Sequence, residues 1–174
     1  MPTRPARKKV PQDAPPEATQ AAENEAQAGA RKELHPVARR WQRLLAREGY
    51  RPSLEVNSED ATLVCLHFKR EGLRHQLYVE EGDPTFFHLA SVFHLDTAAH
   101  PEAALFARAN DLNGRYKGVK ITLDLEDPSV GFHAEGFSER LPSGEVLERW
   151  MGLLRRASRA FFEELEAERP RALA

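Results

Sequence analysis

The sequence of 174 residues contains a single cysteine, Cys65, so no disulfide can form within the chain. This is typical of a protein that folds in a reducing compartment. No apolar run approaches the roughly 18 residues that a membrane-spanning helix needs, and no apolar signal segment follows the basic N-terminus. The net charge is only −2 with histidine neutral, so no overall field points to nucleic acid or an anionic membrane. We therefore expect a cytoplasmic protein without membrane association.

The motifs that mark common active sites are also missing from the sequence. The glycine-rich phosphate loops GxGxxG and GxxxxGK[ST] do not occur, nor do GxSxG, HExxH and CxxC. Acidic side chains cluster at Asp124, Glu126 and Asp127, but Pro128 follows them directly, which is typical of a solvated turn. We predict no catalytic residue, no cofactor and a protein that is not an enzyme.

The start of the chain differs in composition from the rest. Residues 1–33 contain no aromatic side chain, and their only large aliphatic residue is Val10. Such a segment buries too little apolar surface to offset the entropy lost on ordering. We predict a disordered tail over 1–33, one folded domain over 34–168 and a disordered C-terminus over 169–174. The tail carries a basic cluster at Arg4, Arg7, Lys8 and Lys9, and nucleic-acid contact through it stays a second alternative. Short charge runs usually have no dedicated partner, so nucleic acid is not expected.

Periodicity in the remaining sequence predicts three helices and about five strands. Apolar residues at helical spacing predict a helix after Pro36, a second after Pro101 and a long one over about 143–168. Between the first two helices, three alternating runs with short turns predict an antiparallel meander. Two more alternating runs, 119–125 and 130–134, precede the last helix. The order α-βββ-α-ββ-α predicts an α+β fold with helices packed on an antiparallel sheet of about five strands.

The stretch NDLNG, at the end of the second predicted helix, contains two asparagines of uncertain role. Neither Asn110 nor Asn113 can usefully transfer a proton or attack a carbonyl. Asparagine and glycine tolerate the left-handed conformation at a helix end, so Asn113 and Gly114 are predicted to end the helix. The Asn110 amide is expected to bond a neighbouring loop or strand edge. All three residues are interpreted as structural.

One face of the predicted sheet is a candidate interaction surface. Successive side chains of a strand point to opposite faces of a sheet. If the helices cover one face, the other face therefore carries a mixture of apolar and polar side chains. Exposed apolar patches with polar rims tend to mark interaction sites. The alternative is a helix that crosses over and covers this face, and the sequence does not decide between them. The candidate protein-binding residues are Tyr78, Phe86, Val92 and Phe137.

The same face is predicted to carry Cys65 and several histidines, which are ligands that zinc and copper favour. His88 and His94 are six residues apart, or about 20 Å along a straight strand, so they cannot share an ion. No metal is predicted, and a metal- or small-ligand-binding sensor stays an alternative. An enzymatic alternative would need two of four side chains to meet in a cleft: His67, His75, His133 and Glu135.

The element order, the stretches PTFFHLASVFHL and NDLNGRYKGVKITLD, and the long last helix together resemble the YbjN family of bacterial sensory transduction regulators. In that family an N-x-x-N helix end, here Asn110 and Asn113, also precedes a strand. The resemblance covers about Leu34–Glu168. It implies a fold similar to type III secretion chaperones, a curved antiparallel sheet with packed helices. It also implies a cytoplasmic, non-enzymatic, regulatory or chaperone-like module that binds another protein through a sheet face, sheet edge or helix groove, with a homodimer as a further option.

Overall fold

The computed structural model describes residues 35–168, so the predicted tail over 1–33 and the predicted C-terminus over 169–174 lie outside the described residues. The helices within this range are α1 (Pro36–Arg47), α2 (Glu102–Arg115) and α3 (Gly144–Glu168). The strands within it are β1 (Ser53–Val56), β2 (Leu63–Arg70), β3 (Leu73–Glu80), β4 (Asp83–His94), β5 (Lys120–Asp124) and β6 (Ser129–Phe137).

These six strands form one antiparallel sheet in the order β1-β2-β3-β4-β6-β5. Strands β1 to β4 form a meander. Helix α2 then connects β4 to β5 at the far edge of the sheet, and β6 returns to fill the position between β4 and β5. The predicted α+β class and antiparallel sheet are confirmed, and each predicted strand is present. The structure adds β1, whose four residues follow Pro52 and are too few for alternation to separate them from a loop.

All three described helices contribute to one hydrophobic core on a single face of the sheet. The Phe87 ring shows how they meet, since its centroid lies 5.6 Å from that of Trp41 in α1 and 4.2 Å from that of Trp150 in α3. Gly136 makes room for this ring, because a Cβ at that position would lie 2.7 Å from it. Full burial of such side chains contributes about 1.5–3 kcal/mol each. Among residues 35–168, no helix has the length and apolar character required to cross a membrane.

Helix α1 is fixed to the meander by a carboxylate at its N-terminus. Glu81, in the turn between β3 and β4, accepts hydrogen bonds from the backbone N–H groups of Val37 and Ala38, at 3.1 Å each. A negative charge at a helix N-terminus is favourable because the unpaired N–H groups point toward it. The turn therefore positions α1 over the sheet.

The end of α2 differs from the prediction. The helix runs on to Arg115, and the left-handed residue that follows is Gly118, with φ of 77°. The predicted left-handed stop at Asn113 and Gly114 is therefore wrong, although both lie in the last turn of the helix. The contact with a strand edge that was predicted for Asn110 is made by Asn113.

Asn113 closes the outer edge of β5. Its Nδ2 donates to the Ile121 carbonyl at 3.1 Å, and the Ile121 N–H donates to its Oδ1 at 2.7 Å. The amide thus replaces the backbone of a neighbouring strand, one of the ways in which proteins protect sheet edges. Asn110, one turn earlier, is exposed.

Candidate functional site

The sheet face opposite the core is named the open face. Strand register places alternate side chains on it, from Cys65 in β2 and Tyr78 in β3 to His88 in β4 and Glu135 in β6. All the helices within residues 35–168 pack on the other face. The question that the sequence left unanswered is therefore decided for the described chain: no helix in this part crosses over to cover the open face.

The four predicted binding residues lie on the open face, and three of them, Tyr78, Phe86 and Val92, line one depression there. Phe86 and Phe137 are paired across β4 and β6, with ring centroids 5.4 Å apart, and Phe137 is 76% exposed. Val92 is 46% exposed and lies six residues further along β4. Tyr78 lies between them, half-buried, with its ring stacked on that of His88 at 5.2 Å.

A row of polar side chains crosses the open face between these apolar ends. His88 Nε2 lies 2.8 Å from His133 Nδ1, and His133 Nε2 lies 2.7 Å from Thr122 Oγ1. Tyr78 continues the row beyond His88, and Cys65 is its cross-strand partner on β2. The row, named the central row, takes one side chain from each of five strands: Cys65, Tyr78, His88, His133 and Thr122.

Burial keeps the central row uncharged near neutral pH. It raises the pKa of the Cys65 thiol to about 12 and also raises the pKa of Tyr78. Burial lowers the pKa of His88, and burial together with the neighbouring His88 lowers the pKa of His133 to about 4. A thiol in this state is a poor nucleophile and a poor metal ligand. The row therefore offers neutral hydrogen-bonding groups rather than reactive ones.

The side chains required by the enzymatic alternative do not come together in the described chain. His75 lies on the core face, buried, with its Nδ1 2.8 Å from Ser91 Oγ. His67 Nε2 pairs with Glu55 at 2.9 Å. Within residues 35–168, no two of the four are hydrogen-bonded to each other, and no three histidine, cysteine, aspartate or glutamate side chains are grouped to hold a metal ion.

Two depressions adjoin on the open face. The apolar depression has a volume of about 280 Å³ and is lined mainly by Leu63, Tyr78, Phe86 and Ala90. The basic depression has a volume of about 840 Å³, and its rim includes Arg51, Lys69 and Arg74. Gln76 and Val92 line both depressions, so the two are continuous.

Sequence reasoning missed the His88–His133 contact and the basic depression for different reasons. The histidine contact depends on the register between β4 and β6, which are separated by a helix and another strand. Lys69 and Arg74, in contrast, flank the predicted hairpin turn Glu71-Gly72, whose length sets which residues face each other. That turn could have identified the pair of facing cations.

Comparison with known proteins supports the predicted resemblance. The YbjN family model, described as "Putative bacterial sensory transduction regulator", matches residues 42–167. Among curated proteins, no sequence matches this chain.

Two solved structures have similar folds. One is an uncharacterized protein from Methanothermobacter thermautotrophicus, with 15% identity, a TM-score of 0.52, and coverage of 77% of this chain and 99% of that one. The other is YbjN from E. coli, described as "a putative transcription regulator", with 14% identity, a TM-score of 0.53, and coverage of 76% of this chain and 93% of that one. At these identities the likeness concerns the fold alone.

Proposed function

Since the chain belongs to the YbjN family, we propose that it is a non-catalytic regulatory domain that binds another polypeptide through the open face. The observation that carries the proposal is the exposure of Phe137 and Val92 on a sheet face that the described helices leave uncovered. Large apolar side chains exposed on such a face, with polar groups around them, are typical of protein-binding surfaces. A cytoplasmic, chaperone-like role belongs to the same proposal.

The open face suits a polypeptide better than the two sheet edges do. At one edge, Asn113 already occupies the backbone groups of Ile121. At the other edge, β1 offers only four residues for an added strand. Binding by strand addition depends on a longer run of free backbone groups. The face offers two adjoining depressions and an exposed aromatic pair, which supports side-chain recognition.

The chemistry of the central row supports binding rather than catalysis. Its cysteine, tyrosine and histidines are neutral near pH 7, because burial disfavours their charged forms. Neutral donors and acceptors at the centre of an apolar surface can orient a partner's backbone by hydrogen bonds. Catalytic groups are usually poised to gain or lose a proton near the working pH.

The proposal is tested by capture of partners on the immobilised full chain. Phe86→Asp combined with Val92→Asp places two charges on the open face and should abolish retention of a protein that the wild type retains from lysate. Val146→Asp is the matched control, since Val146 is 39% exposed on α3 and lies away from the open face. Equal retention by the double variant and the wild type would contradict the proposal.

A sensor of a metal or small ligand is the second candidate function. The observation that favours it is the 2.8 Å contact between ring nitrogens of His88 and His133 beside the apolar depression. Calorimetric titration of the full chain with zinc or copper distinguishes the two functions. Saturable heat that disappears when both histidines are replaced by glutamine would favour the sensor over the polypeptide-binding domain.

A further inference from the structure

Three cationic side chains converge on the basic depression without acidic partners. Lys69 in β2 and Arg74 in β3 face each other as cross-strand neighbours, and Arg51 precedes β1. None of the three takes part in an ion pair among residues 35–168. Like charges directly opposite each other destabilise a sheet, so this arrangement costs stability unless an anion offsets it.

The acidic side chain within this depression is already engaged. Glu55 pairs with His67, with 2.9 Å between Oε2 and Nε2. On the core face, by contrast, the neighbouring Arg70 is matched by Glu148 at 3.3 Å. At this hairpin, therefore, the cation on the core side is matched by an acidic partner, whereas Lys69 and Arg74 on the open face are not. A negatively charged ligand would complete the depression.

Gln76 marks the junction of the basic and apolar depressions. Its Oε1 is buried and accepts no hydrogen bond from the described residues. A buried acceptor of this kind requires a donor. The backbone N–H of a bound polypeptide would supply one at the point where the two depressions meet.

We infer that the polypeptide bound by the open face carries acidic residues next to an apolar anchor. The anchor, one aromatic or large aliphatic side chain, lies in the apolar depression beside Tyr78 and Phe86. The acidic side chains contact Lys69, Arg74 and Arg51, and Val92 lies between the two groups. This inference rests on the proposed function and specifies the chemistry of the partner. Complementary charge of this kind gives an interface much of its specificity.

The inference is tested with labelled copolymers titrated with the full chain. Poly(Glu,Tyr) supplies both acidic and aromatic side chains, poly(Lys,Tyr) reverses the charge, and oligothymidylate supplies an anion without a polypeptide. We expect saturable binding of poly(Glu,Tyr) alone. Lys69→Glu combined with Arg74→Glu should weaken it by roughly tenfold or more. Arg149→Glu combined with Arg156→Glu makes the same charge change on α3 and should leave the affinity within about twofold.

A single variant separates binding from folding. Lys69→Glu places a carboxylate opposite Arg74, so the thermal midpoint should hold or rise while the affinity for poly(Glu,Tyr) falls. A parallel loss of stability and affinity would indicate a structural role for Lys69 and would overturn the inference.

The remaining outcomes distinguish this inference from the proposed function. The inference of an acidic partner would be overturned by any one of three results. These are no binding of poly(Glu,Tyr), equal binding of poly(Lys,Tyr) or oligothymidylate, and an equal loss of affinity in the α3 control variant. If Phe86→Asp with Val92→Asp abolishes copolymer binding while charge reversal at Lys69 and Arg74 does not, the open face binds polypeptides without the proposed charge preference. If neither pair of substitutions changes binding, both proposals fail.

Discussion

At the scale of single residues, the histidines show how position in the sheet determines chemistry. His75 and His133 have the same side chain, but His75 contacts Ser91 within the core, whereas His133 contacts His88 and Thr122 on the open face. Burial lowers the pKa of each to about 4. Both are therefore neutral near pH 7, one as part of the core and the other as part of the open face.

The buried histidines predict a dependence of stability on pH. An unfolded histidine has a pKa near 6.5, so between about pH 6.5 and 4 the unfolded chain binds more protons than the folded one. The stabilisation is complete above this window and is lost as the pH falls through it. Near pH 5, His75 alone should lower the free energy of unfolding by about 2 kcal/mol.

Urea unfolding near pH 7 and near pH 5 measures this loss. His75→Gln should show a clearly smaller difference between the two pH values than the wild type, because glutamine has no proton to gain. An identical difference in wild type and variant would show that His75 does not contribute to the pH dependence.

At the scale of elements, the contact between α2 and β5 gives Asn113 a role that local sequence does not reveal. The helix–strand order in this region is confirmed. The left-handed stop was wrong because a helix end chosen from Asn-Gly alone ignores tertiary packing, which here carries α2 on to Arg115. The amide pairs with Ile121, eight residues ahead, only after the chain has turned at Gly118. Propensity cannot predict such a contact.

Removal of this amide should expose the edge of β5. Asn113→Ala eliminates both hydrogen bonds to Ile121 and should lower the free energy of unfolding by about 1–3 kcal/mol. It should also increase aggregation during refolding, since an open edge can pair with another chain. Asn110→Ala is the matched control and should change stability by less than about 0.5 kcal/mol. Equal effects of the two variants in urea unfolding would refute the edge-protecting role.

At the scale of the whole molecule, alternation in the sequence predicted which side chains lie on each face of the sheet. It did not predict which side chains on one face become neighbours on adjacent strands. The pattern correctly placed Tyr78, Phe86, Val92 and Phe137 on one face, because side-chain direction follows from the period of a strand. It could not show that Phe86 pairs with Phe137 or that Val92 adjoins Arg74. The first relation depends on the register between β4 and β6, which are separated by a helix and a strand. The second depends on the register shift at Val79/Glu80 in the β3–β4 hairpin, which alternation alone does not predict.

The sheet thus has one apolar face, which α1, α2 and α3 cover. Its second face carries exposed apolar side chains, the neutral central row and the basic depression. The helix-covered face accounts for stability. The open face contains Phe137 and the unmatched pair of Lys69 and Arg74, features that do little for folding and that the proposed partner would explain.

The most direct test of this account is methyl NMR of the full chain mixed with a protein that it retains from lysate. The account predicts shifts at Leu63, Ala90 and Val92, which line the depressions of the open face, and unchanged signals from Val146 on α3. Shifts confined to Val146 and other helix methyl groups, with the open-face signals unchanged, would contradict it.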